Sequence, residues 1–155
     1  MKIGGHGLGD HLKLLSPLLG LIAAVWALRM VLYAAGAPRL VMHWCSVTVA
    51  GAACIMLAGF LIHVRRFGGY PNVVLSTFLI VCWQQLLIIA AIAFSVFTRT
   101  HNVYTAAEFS GRFGPAVHIL GHLTFGLGFG TIFGSAMGCL LLWLLRKLVP
   151  LPEKQ

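Results

Sequence analysis

Residues 114–148 read GPAVHILGHLTFGLGFGTIFGSAMGCLLLWLLRKL. From His118 onward every fourth position is a histidine or a glycine: His118, His122, Gly126, Gly130, Gly134 and Gly138. A stride of four follows one slowly rotating face of an α-helix, so these residues form a single stripe. The stretch is also long enough to cross a bilayer, which takes about 20 apolar residues. The stripe is then either a seam against another helix or the wall of a cofactor site.

The rest of the chain has the same character. Of 155 residues, 59% are hydrophobic and only 9% charged, too few polar groups to cover an apolar surface in water. Four apolar segments stand out, at about 17–36, 43–64, 71–97 and 115–148, separated by Gly, Pro and basic clusters. Lipid offers no partner to unpaired backbone groups, so each segment is expected to be a helix, and none alternates as barrel strands do. The expected fold is all-α: a polytopic membrane protein, a four-helix bundle forming a single membrane domain over 1–155. Ser16 and Pro17 suit the start of the first helix, and Gly36 and Pro38 suit its end. Basic residues precede this segment and Ala35-Gly36-Ala37 closes it, as in a signal peptide. Its length and Pro38 favour an uncleaved span. Residues 1–15 read as a solvated, Gly-rich tail with a short Leu/Lys stretch at the interface.

The net charge is +8, from eleven Lys and Arg against three acids, and the basic residues fall at the ends of apolar runs. There is no contiguous basic stripe with exposed aromatics, so nucleic acid is not an expected partner. In a four-span topology Lys2, Lys13, Arg65, Arg66, Arg146, Lys147 and Lys154 fall on one side, and Arg39, Arg99 and Arg112 on the other. The positive-inside bias then puts both termini in the cytoplasm and the loop 98–114 outside. The expected location is the plasma (inner) membrane. Cys45, Cys54, Cys82 and Cys139 lie inside apolar segments without paired spacing and read as buried thiols.

The second segment repeats the stride of the last, with His43, Gly51, Gly59 and His63 in step. Small residues at this spacing let membrane helices approach closely. The second and fourth spans are therefore expected to pair, with Gly51 and Gly59 facing the glycines of the last span. That pairing brings His43 to the depth of His118 and His122 at the outer face, and His101 or Glu108 can reach in from the loop. Two histidines four apart on one helix face can ligate one transition metal, and imidazole suits zinc and copper. Axial ligation of a b-type haem is the other form of this reading. A close glycine seam and a porphyrin cannot share one interface.

Two further features lie inside the spans. Arg29 sits about two helical turns from the outer end of the first span, and its only intrachain carboxylate partner across the loop is Glu108. Gln84 and Gln85 fall in the middle of the third span, pointing about 100° apart. One amide can bond within the bundle while the other meets a ligand, a second subunit or water.

There is no acid pair, Ser/His/Asp set or phosphate loop with a following Lys, so activity by the chain alone is not expected. The leading functional reading is a small membrane subunit that binds a transition metal or b-type haem through outer-face histidines. It would work within a larger redox or assembly complex or a homo-oligomer. A purely structural or interaction bundle is one alternative, and an oligomeric small-solute transporter or channel is another.

Overall fold

The computed structural model describes residues 2–106 and 114–149. Its helices are α1 (Leu8–Ala34), α2 (Arg39–Trp44), α3 (Val47–Val64), α4 (Tyr70–Thr98), α5 (Pro115–Gly121) and α6 (Leu127–Leu148), with a π turn, His122–Gly126, joining α5 to α6. Taken as Leu8–Ala34, Arg39–Val64, Tyr70–Thr98 and Pro115–Leu148, these make four helices long and apolar enough to cross a membrane. The central pair is α3 and α4, with α1 on one flank and α6 on the other. Leu15, Ile22, Val47, Ile80 and Ile92 form the core between α1, α3 and α4. Trp83 Nε1 donates to the Leu19 carbonyl at 3.0 Å, and the free Cys54 thiol lies 3.6 Å from that of Leu18, so α1 is held by polar contacts as well as packing.

The first helix begins at Leu8, well before the expected 17, and the chain ahead of it is structured. Lys2–Ile3 (β1) pairs antiparallel with His6–Gly7 (β2) across Gly4 and Gly5, whose φ values of +56° and +89° suit a tight hairpin turn. The Gly7 N–H donates to the Asp10 carboxylate at 2.8 Å, which caps α1. Pro17 is therefore inside the helix, where it cannot donate to the Lys13 carbonyl. The Ser16 hydroxyl donates to that carbonyl instead, at 3.1 Å. Ser16 repairs the helix rather than starting it.

The hairpin docks on the α3–α4 turn. His6 stacks on Phe67 with ring centroids 3.8 Å apart. His11 is fully buried, donates from Nδ1 to the Gly7 carbonyl at 2.9 Å, and so presents Nε2 as an acceptor to Asn72 Nδ2 at 3.3 Å. Asn72 also donates to the Ile3 carbonyl at 3.0 Å and accepts the Gly69 N–H at 3.1 Å. The solvated tail expected from composition is thus replaced by a hairpin with buried, satisfied polar groups. The last described residues meet the same turn: His63 Nε2 donates to the Val149 carbonyl at 3.0 Å, and Arg146 donates to that of Gly68 at 3.0 Å.

The second span is not one helix from 43 to 64. Backbone helix breaks at Cys45 and Ser46, and the Ser46 hydroxyl caps α3 by accepting the Thr48 N–H at 3.2 Å. His43 therefore belongs to α2 and is not on the α3 stripe that carries Gly51 and Gly59.

The last helix does run along a glycine stripe, but its main partner is α4. A Cβ at Gly126 would meet Gln85, at Gly130 Val81, at Gly134 Thr77 and Ile55, and at Gly138 Val73 and Ile55. Each step of four along α6 is matched by a step of four backwards along α4, as antiparallel helices require. The expected approach to the second span occurs at Gly59, whose Cβ position lies 3.3 Å from the Gly138 carbonyl oxygen. Gly51 instead faces the Gln84 side chain. In a pure α-helix each stride of four overshoots by about 40°. The π turn holds more residues per turn, takes back part of that drift and keeps His122 and Gly126 turned toward α4.

Candidate functional site

Gln84 lies fourteen residues from each end of α4, about 21 Å along the axis either way. As neighbours on a helix, the two glutamines diverge: Gln84 turns to Gly51 of α3 and Gln85 to Gly126. The missing Cβ at each glycine is what admits the amide. Gln85 Oε1 lies 2.7 Å from His122 Nδ1, so His122 carries its proton on Nδ1 and donates it there. That leaves His122 Nε2 as a lone pair, and it faces His118 Nε2 at 3.1 Å. The two rings are half-buried, with centroids 4.8 Å apart and planes tilted by 35°. His118, His122 and Gln85 thus form one hydrogen-bonded row along the face where α5 and the π turn meet α4.

The other expected ligands stand apart from this row. His43 is exposed on α2, edge-on to Trp44 at 6.0 Å. His101 is exposed in the loop after α4 and lines, with His118, a cavity of about 450 Å³ whose walls include Ser95, Arg99 and Thr100. Among the described residues no three His, Cys, Asp or Glu come together as a metal-ligand set. Glu108 lies outside the described residues, as do Phe109 and Arg112. Arg29 meets the loop at Tyr104, its guanidinium carbon 5.1 Å from the ring centroid.

The described part of that loop is tied to the end of the bundle. Asn102 donates to the Ala91 carbonyl at 2.7 Å and accepts the Tyr104 N–H at 2.9 Å, while Val103 is fully buried. Ser95 donates to the Thr100 carbonyl and lies 2.9 Å from the Thr105 hydroxyl. Burial raises the Tyr104 phenol above its ordinary range, and the Arg29 charge offsets part of that rise.

Below the histidine row, a groove of about 400 Å³ runs between α3, α4 and α6. Gln84, Gln85 and His122 line its polar part, and Met56, Phe129, Phe133 and Met137 are among its apolar walls. None of its lining residues is Lys, Arg, Asp or Glu. His118 stands in the wall of the loop-side cavity and His122 in that of the groove, so the two spaces are joined by the row. Sequence reasoning found His118, His122, Gln84 and Gln85 but not their connection, because nothing in spacing says which amide turns to which helix. It also missed Asn72, although Gly4-Gly5 between short apolar-polar pairs is a hairpin signal.

No protein-family model, curated protein or solved structure matches this chain.

Proposed function

We propose that the chain is a small integral membrane subunit, set in the plasma (inner) membrane with both termini cytoplasmic, that binds a transition metal ion at His118 and His122 near the outer face. One observation carries this reading: the two Nε2 atoms face each other at 3.1 Å, and Gln85 holds the Nδ1 proton of His122 so that its Nε2 lone pair points at His118. A hydrogen bond on the far nitrogen is how proteins commonly orient a ligating imidazole. His118 and His122 would hold the ion through their Nε2 atoms, whose 3.1 Å separation is short enough for one ion to reach both. To ligate as a neutral imidazole, His118 would carry its proton on Nδ1 and leave Nε2 as a lone pair.

Two protein ligands leave positions open for water or an incoming group, which suits an exchangeable zinc or copper site. A haem fits less well. Both rings lie on one face of one helix and cannot clasp a porphyrin from opposite sides, and His43 stands elsewhere on α2. The last span also keeps Ile132, Leu140 and Leu144 exposed outside the groove, a surface suited to lipid or to neighbouring membrane subunits of a redox or assembly complex.

Metal analysis of detergent-purified protein after loading with zinc or copper tests the site. About one ion per chain is expected, lost in the His118→Ala/His122→Ala variant. Gln85→Leu should weaken binding about 10- to 100-fold by freeing the His122 ring. Stoichiometric metal retained in the double variant would overturn the assignment.

A further inference from the structure

Gln84 is only 7% exposed, and its amide has no hydrogen-bond partner among the described residues. The amide opens onto the groove, and at the middle of a span, where water is scarce, an amide without a partner is costly and favours a ligand. Gln85 Oε1 is taken by His122, and Gln84 Oε1 is packed toward Gly51, so both amides have their Nε2 hydrogens left to offer. The groove therefore presents two diverging donors, one on the α3 side and one on the side of the π turn, and favours a head with two separated acceptors.

Position and charge narrow the class. The glutamines sit at the midpoint of a span, where a phospholipid headgroup does not reach, and no charged side chain lines the groove to neutralise an ion. The head must be neutral and soluble in hydrocarbon. Phe129 and Phe133 stack at 5.8 Å along the wall, and Met56 and Met137 add flexible, polarisable surface, a slot suited to an unsaturated apolar tail. We infer that the groove between α3, α4 and α6 binds an isoprenoid quinone, its ring carbonyl oxygens accepting from Gln84 and Gln85 and its tail lying along Met56, Phe129, Phe133 and Met137.

This inference does not rest on the metal site, because the donors and the slot exist without an ion. The test accordingly uses full-length protein in nanodiscs, treated with chelator, and an arylazido benzoquinone with a decyl chain as photoaffinity probe. Saturable labelling that maps to α3, α4 or α6 is expected, displaced by decyl-benzoquinone and at least tenfold less readily by decylbenzene, which has the tail without the carbonyls. Gln84→Leu should raise the half-saturating probe concentration at least tenfold while leaving zinc or copper loading unchanged. Labelling that does not saturate, or decylbenzene competing as well as the quinone, would overturn the inference and leave an apolar lipid slot. The decylbenzene comparison is made on the native chain, so it decides the matter even where Gln84→Leu does not fold.

Discussion

Asn72 is fully buried and joins three separate pieces of chain: the hairpin at Ile3, the first helix at His11 and its own turn at Gly69. Asn72→Leu keeps most of the volume but strands a carbonyl, an imidazole nitrogen and an amide together, at about 1–3 kcal/mol for each buried group that water does not reach. The expected outcome is a loss of about 3 kcal/mol with release of residues 2–7, read by amide exchange and limited proteolysis. Unchanged protection of the hairpin in the variant would show that Asn72 does not hold it. Tyr104 offers a second test at this scale. Burial disfavours its phenolate, so the part of an alkaline absorbance titration that is lost in Tyr104→Phe should lie above the ordinary tyrosine range. The unfolded chain ionises first, so this group stabilises the fold below about pH 10 and the contribution is lost as pH rises beyond it. Arg29→Met removes the offsetting positive charge and should move that titration still higher, whereas a shift downward would contradict the contact.

At the scale of helices, the stripe on the last span was legible because a stride of four is a property of one helix. Its partners were legible in part: the last helix packs on α3, with the expected approach at Gly59, and also on α4, which spacing did not reveal. Gly126, Gly130, Gly134 and Gly138 take Gln85, Val81, Thr77 and Val73 from a helix whose own pattern at those positions is mixed in size and polarity. Spacing alone therefore matched the glycines with the other small residues, at Gly51 and Gly59. Close contact has a measurable consequence. A Cβ at Gly130 would lie 3.0 Å from Val81 Cγ1, while one at Gly128 meets nothing within 4 Å. Gly130→Leu should force α6 from α4 and cost about 1–3 kcal/mol, whereas Gly128→Leu should stay within about 0.5 kcal/mol or gain from helix propensity. Unfolding by denaturant in mixed micelles compares the pair; equal stability of the two variants would mean that the stripe is not a packing seam. The break at Cys45 and Ser46 was hidden for a related reason. His43 keeps the stride of α3 in the sequence, and only the capping geometry of Ser46 shows that the helix starts after it.

At the scale of the molecule, packing and the basic residues single out the same end of the bundle. Hydrogen bonds from Asn72 to Ile3, from His63 to Val149 and from Arg146 to Gly68 gather the first and last described segments and the α3–α4 turn at one end of the bundle. Lys2, Lys13, Arg65, Arg66, Arg146 and Lys147 belong to that end by sequence, whereas Arg39 and Arg99 flank the connections at the other. A bias of this kind orients a polytopic chain with its basic end in the cytoplasm. Fluorescent protein fused to either terminus should therefore fold and fluoresce in whole bacterial cells, and alkaline phosphatase fused after residue 106 should be active. The bias also makes a graded prediction. Replacing Arg65 and Arg66 with Gln removes two of the basic residues beside the α3–α4 turn but leaves the groups that bond Gly68 and Asn72 in place. A fraction of chains should then insert with the phosphatase reporter inside. An orientation that ignores these charges would show that helix packing, rather than the basic end, decides how this chain enters the membrane.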